Sequence, residues 1–102
     1  MLFLQTARHP PESCAFINEK AKKANLELMA KMGPLLAKHG IKLVGAWVSL
    51  PEHLTGAVYD APSMEALVNL SMEPEAMTVI VYNISEVRPV LTLQETMKLL
   101  MK

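Results

Sequence analysis

Two histidines, one cysteine and two glutamates carry most of the chemistry this sequence offers, and they fall in two short segments far apart along the chain. His9, Glu12 and Cys14 stand in His9-Pro10-Pro11-Glu12-Ser13-Cys14, and Glu52 and His53 in Leu50-Pro51-Glu52-His53. Imidazole, thiol and carboxylate can serve as acid, base, nucleophile or metal ligand. His53 is the first candidate for general acid or base and His9 the second, because an unperturbed imidazole titrates near working pH. Cys14 and Glu12 are read as ligand-binding. If a helix starts near Ser13, its free backbone N–H groups stabilise a Cys14 thiolate; the bland alternative is a small thiol buried for packing. The separation of His9 and Cys14 matches no recognised zinc spacing, and a third ligand has to come from His53 or a carboxylate, so no metal is assigned. His39 sits in the last turn before Gly40, where a cation complements the helix dipole, and is given no chemistry. Glu73 and Glu75 flank Pro74 and read as a solvated turn.

The elements that position these residues follow from periodicity. Leu2 to Arg8 reads as a strand ended by Pro10-Pro11, with Leu2, Leu4 and Thr6 on one face and Phe3, Gln5 and Ala7 on the other. A helix follows, with Ile17, Ala21, Ala24, Leu28, Met32 and Leu35 as its apolar stripe, kinked or restarted at Gly33-Pro34 and closed by Gly40. Ile41 to Ser49 is a strand covered on both faces, with Ile41, Leu43 and Trp47 opposite Val44, Ala46 and Val48. A hairpin turn leads to Leu54 to Ala61. Pro62-Ser63 opens a second helix with Met64, Leu67, Val68 and Met72 buried, ended by Pro74. Thr78 to Val87 is the last strand, rich in β-branched residues. Thr92-Leu93-Gln94-Glu95 has the spacing of a capping box and opens a terminal helix carrying Leu93, Met97, Leu100 and Met101, which packs on its own domain or on a partner subunit.

The order strand, helix, strand, strand, helix, strand is the ferredoxin-like βαββαβ pattern of the α+β class, here a four-stranded antiparallel sheet with an added C-terminal helix and a single domain over 1–102. In this topology the third strand inserts between the parallel first and second. The end of the first strand and the hairpin turn therefore share one edge, which brings His9, Glu12 and Cys14 beside Glu52 and His53, with Met72 to Thr78 closing it. Two helices cover one face of the sheet, so the other face needs a second layer, most simply a second copy of the chain. Trp47 and Tyr59, amphipathic aromatics on adjacent strands, are read as lining a ligand pocket, with core or dimer packing as the competing use. Met29, Met32, Met64, Met72 and Met77 fill the core or a pocket for a small apolar or planar ligand.

Composition narrows the class. The chain has 102 residues, is 51% apolar, and balances ten basic with ten acidic residues. The balance conceals sorting: residues 8–42 are mainly basic, residues 43–97 mainly acidic, and Lys98 and Lys102 restore neutrality. Zero net charge, with no basic patch interleaved with aromatics, excludes a nucleic-acid module. No apolar run reaches the ~20 residues of a membrane span, and the terminal helix has too few cations for a membrane surface. The start of the chain lacks the features of a secretory signal, and a lone cysteine forms no internal disulfide; both point to the reducing cytoplasm. Glycines 33, 40, 45 and 56 are scattered, so there is no phosphate loop.

Met1-Leu2-Phe3, His9-Pro10-Pro11-Glu12-Ser13-Cys14, Val44-Gly45-Ala46-Trp47-Val48 leading into Pro51-Glu52-His53, and Arg88-Pro89-Val90-Leu91-Thr92 together resemble a family of small uncharacterised prokaryotic proteins within the dimeric α/β-barrel superfamily. The resemblance spans nearly the whole chain and implies a homodimer joined through its sheet faces. That superfamily includes muconolactone-isomerase-like enzymes, cofactor-independent monooxygenases, haem-handling proteins, stress-responsive domains and ligand-sensing modules, so fold alone leaves the activity and any cofactor open. The reading that joins residues and resemblance is a small-molecule pocket near His9, Cys14 and His53, with isomerase-like or cofactor-independent monooxygenase-like activity. The alternative is a non-catalytic ligand-sensing or assembly module.

Overall fold

The computed structural model describes residues 1–102. Strands β1 (Leu2–Arg8), β2 (Lys42–Ser49), β3 (Leu54–Asp60) and β4 (Ile84–Val90) form one sheet in the order β2-β3-β1-β4, every neighbour antiparallel. Helix α1 (Glu19–Lys38) joins β1 to β2, α2 (Met64–Ser71) and α3 (Pro74–Ile80) join β3 to β4, and α4 (Leu93–Leu100) follows β4. This is the expected ferredoxin-like α+β topology, with β3 inserted between β1 and β2.

Local chemistry sets most of the boundaries. Asn18 caps α1 by accepting from the Ala21 amide at 2.9 Å, so the helix starts at Glu19 and not near Ser13. Ile17, expected on its buried stripe, lies outside it and exposed. Pro34 is accommodated within the continuous helix. At the other end Gly40 adopts φ 66°, and the amides of Ile41 and Gly40 donate to the carbonyls of Leu36 and Ala37, a complete Schellman closure. Thr92 and Glu95 exchange capping-box bonds of 3.0 and 3.1 Å, as their spacing predicts.

The second half of the chain departs from expectation. Pro74, expected to end the second helix, instead starts α3: α2 ends at Ser71, and Pro74 occupies the first helical turn of α3, where its missing donor costs nothing. The run Thr78 to Ile80, β-branched and expected in the last strand, is therefore helical, and β4 begins only at Ile84. Tertiary packing overrides local β-propensity here. β4 continues through Pro89, which an edge strand tolerates. In α2 the buried residues are Leu67 and Leu70, while Met64, Val68 and Met72 are exposed, so the stripe is rotated from the one expected.

Phe3, 2% exposed, anchors a core with Leu35, Leu36, Ile41, Ala57, Tyr59, Ala61, Leu67 and Leu70. Burial raises the Tyr59 pKa above its ordinary value. Phe3 pairs with Tyr59 across the sheet, so this is the helix-covered face, and by alternation Leu2, Leu4, Val58, Ile84 and Val90 belong to the other. In β2 a bulge between Leu43 and Gly45 shifts the register. Leu43 thereby joins Ala46 and Val48 on the covered side, and Trp47 pairs with Gly56 on the open side. β2 is an edge strand, and Leu43, Val44, Trp47 and Val48 are all exposed, against the expectation of cover on both faces. Only 12 of 102 residues are buried. None of them belongs to α4, which packs extensively on no other element, and the longest dimension is accordingly 52 Å.

Glu73, expected in a solvated turn, ties two helix ends together. Its Oε1 accepts from Lys38 Nζ at 2.7 Å and lies 3.0 Å from His39 Nε2. Glu75 pairs with Lys31 at 3.7 Å, so the mainly basic α1 and the acidic second half meet here. The bonds from Lys38, then His39, hold the Glu73 carboxyl below its ordinary pKa. A lowered folded-state value means that the stabilisation is complete above the ordinary carboxylate range and is lost as pH falls through the lowered value. Glu73→Gln is therefore expected to lower the urea midpoint at neutral pH, with the gap from the parent chain closing as the pH falls below the ordinary carboxylate range.

Candidate functional site

β1 and β3 run antiparallel, with Arg8 opposite Leu54, so the residues that follow and precede them meet at the sheet end. The His9 amide donates to the His53 carbonyl at 3.2 Å, extending the ladder by one bond. The two imidazoles lie edge to face with centroids 5.2 Å apart. His53 reaches this position from the left-handed region, at φ 51°, with its amide bonded to the Leu50 carbonyl. That conformation costs a non-glycine residue roughly 1–2 kcal/mol, and histidine tolerates it better than most.

Cys14 arrives by a different route. Pro10 and Pro11 open a 3-10 turn over Pro11–Ser13, whose closing bonds run from the Ser13 amide to the Pro10 carbonyl and from the Cys14 amide to the Pro11 carbonyl. The thiol thus lies ahead of α1, and the helix-terminus stabilisation expected for it does not apply. One ligand atom each from His9, Cys14 and His53 fall within 4.8 Å of one another, all three residues being half-buried. His9 Nε2 is buried without a hydrogen-bond partner.

The expected carboxylates stand aside. Glu12 is exposed, its carbonyl accepting from Asn18 Nδ2, and Glu52 faces Arg8 at 4.0 Å. Trp47 and Tyr59 point to opposite faces: Tyr59 lies in the core, while the Trp47 ring lies over Gly45 and Gly56 on the open face. A Cβ on Gly45 would come within 3.1 Å of that ring, so glycine there makes room for it. The segment closing this sheet end is Asn83–Ile84 at the start of β4, beside Arg8, and not Met72 to Thr78. Two open hollows, about 390 and 520 Å³, run along α1 and between α1 and α3, and neither is lined by the cluster. The orphaned His9 nitrogen and the Glu73 clamp have no sequence signature, since both depend on partners remote in the chain.

No protein-family profile matches the sequence, and no curated protein is significantly similar to it. Solved structures are similar in fold. An antibiotic biosynthesis monooxygenase is 13% identical with a TM-score of 0.56, covering 89% of this chain and 99% of its own. Protein Atu4242 from Agrobacterium tumefaciens is 13% identical with a TM-score of 0.52, covering 91% and 96%. An uncharacterized NIPSNAP domain protein from Burkholderia xenovorans is 10% identical with a TM-score of 0.51, covering 91% and 97%. With the β2-β3-β1-β4 sheet and alignment over about nine-tenths of the chain, the protein shares the ferredoxin-like α+β fold of these structures.

Proposed function

We propose that this chain acts in the cytoplasm as a homodimer joined through its open sheet faces, and that each copy binds a small apolar or planar molecule beside His9, Cys14 and His53. The observation that carries this reading is the convergence of these three side chains at the sheet end, with a buried His9 nitrogen left free to meet a ligand. The chemistry that suits such a site is proton transfer. An imidazole takes a proton from an acidic C–H or O–H of the ligand and returns it to another atom, as in an isomerase-like reaction, or leaves an anion that itself reacts with oxygen. His53 is the first candidate for this role and His9 the second. The likeness to an antibiotic biosynthesis monooxygenase agrees with the second route. Trp47, on the open face, serves the subunit interface in this reading, and Tyr59 belongs to the core opposite Phe3, toward the other end of the strands from the site.

His53→Gly separates this role from a structural one. Glycine relieves the left-handed backbone, so the variant is expected to fold with equal stability or up to about 1 kcal/mol more, while losing the bound molecule. Native mass spectrometry of freshly purified parent and variant chains checks this: extra mass on the parent alone supports the pocket. Loss of folding in the variant, or no small molecule retained by the parent under gentle desalting, counts against it. A non-catalytic assembly module is favoured instead by the uncovered α4, and predicts a dimer with no ligand on either chain.

A further inference from the structure

We propose that His9, Cys14 and His53 form a three-ligand site for a single zinc-class divalent cation; this rests on the pocket of the reading above but replaces its imidazole base, since a nitrogen that ligates the ion has no lone pair left to take a proton. The donor set is two imidazole nitrogens and one thiol sulfur, with no oxygen. Borderline-soft ions favour such a set, whereas magnesium and calcium require oxygen ligands. Cys14 binds as the thiolate, its proton passing to solvent as the metal–sulfur bond forms.

Distance agrees with donor type. The three ligand atoms lie within 4.8 Å of one another. A tetrahedral ion with Zn–N near 2.0–2.1 Å and Zn–S near 2.3 Å needs ligand separations of roughly 3.3–3.6 Å. Half-buried side chains close that gap by small rotations about χ1 and χ2, without moving the backbone.

The backbone already holds the three positions together. The His9 amide is bonded to the His53 carbonyl, the 3-10 turn fixes Cys14, and the His53 turn is closed on Leu50. The buried, unpartnered Nε2 of His9 is an independent sign, because a polar atom removed from water ordinarily has a partner. Neighbouring carboxylates do not supply one: Glu52 faces Arg8 and Glu12 is exposed. Three protein ligands leave a fourth position open, the arrangement of catalytic and not of structural zinc sites. In the proposed pocket that position would hold water or the ligand's own oxygen.

Cobalt(II), a spectroscopic substitute for zinc, tests the assignment on the full chain, stripped with chelator and kept reduced by a phosphine. One equivalent per chain is expected to give a thiolate-to-cobalt charge-transfer band and the strong visible absorption of a tetrahedral ion. Zinc should displace it stoichiometrically and magnesium should not. Cys14→Ser is expected to abolish the charge-transfer band, and His9→Ala to weaken zinc at least about tenfold, no less than the loss of a group that merely orients a ligand. His53→Gly, which relaxes the backbone, provides a variant that folds if an alanine variant does not. No stoichiometric cobalt binding by the folded parent overturns the proposal, as does a charge-transfer band unchanged by Cys14→Ser. Dimerisation and retention of an organic ligand by the same metal-free sample remain readable, so failure of the ion is distinguished from failure of the pocket.

Discussion

Replacing Trp47 with glutamate is expected to convert a stable dimer into monomers, raising the dissociation constant roughly 30- to 1,000-fold, the equivalent of about 2–4 kcal/mol for an interface tryptophan. The argument starts from the sheet. Helices α1 and α2 pack on the face that carries Phe3, Ala57 and Tyr59, α3 packs in turn on these two helices, and no helix packs extensively on the face that carries Leu4, Val58 and Trp47. Trp47 is 62% exposed there and Ile84 76%. Antiparallel sheets can leave one face to water, but they then carry polar residues on it. On this face the charges are Glu86 and Arg88 on the edge strand β4 and Arg8, Lys42 and Asp60 at the two ends of the sheet, while Leu4 and Val58 occupy the middle of the two central strands. A second sheet stacked face to face would bury the apolar centre and leave the charged edge at the rim, the usual distribution within a protein interface. Trp47 stands on the edge strand β2 with its ring reaching Gly56 of the central strand β3, so glutamate there places an unpaired charge against that centre. Sedimentation velocity at micromolar concentration decides the matter; a parent chain that sediments as a monomer removes the sheet-face dimer.

Phe3→Ala is expected to cost about 3–5 kcal/mol, the range for truncating a buried phenylalanine. Phe3 is the one large side chain that is fully enclosed, and it lies opposite both Tyr59 and Pro89, so its ring joins the two neighbours of β1 to the helices. A domain of this size sits toward the low end of the usual stability of about 5–15 kcal/mol. The variant should therefore be largely unfolded at 37 °C, or fold only at concentrations that drive dimerisation. Denaturant unfolding followed by tryptophan fluorescence and far-UV circular dichroism measures the loss. The consequence reaches the candidate site, since β1 carries His9 at its end: a Phe3→Ala chain that retained full stability and an intact site would show that the core does not depend on this ring.

The sequence was most legible where structure depends on neighbours a few positions away. Leu2 to Arg8 shows its strand by alternation, Gly40 closes α1 because only a left-handed residue permits both Schellman bonds, and Thr92 with Glu95 caps α4. It was least legible where two local rules compete. Ser13 and Asn18 both suit an N-cap, and the structure uses Asn18, which moves Cys14 out of the helix. Pro74 can follow one helix or open another, and it opens α3. A single extra residue in β2 inverts the alternation, so Trp47 and Leu43 part company and Trp47 and Tyr59 lie on opposite faces.

By itself, the amino-acid sequence determined the order of the main elements, the ferredoxin-like topology and the meeting of His9 with His53 at one sheet edge. Those follow from periodicity, caps and the rule that the third strand inserts between the first two. Only the tertiary structure decided that the ligand atoms of His9, Cys14 and His53, brought to one edge by the topology, come within 4.8 Å of one another, that a His9 nitrogen is buried without a partner, and that Glu73 is a clamp between helices. Periodicity and capping report hydrogen bonds and burial within a few turns of chain. Ångström distances between side chains remote in sequence are set by strand register, turn geometry and packing, which local patterns do not encode.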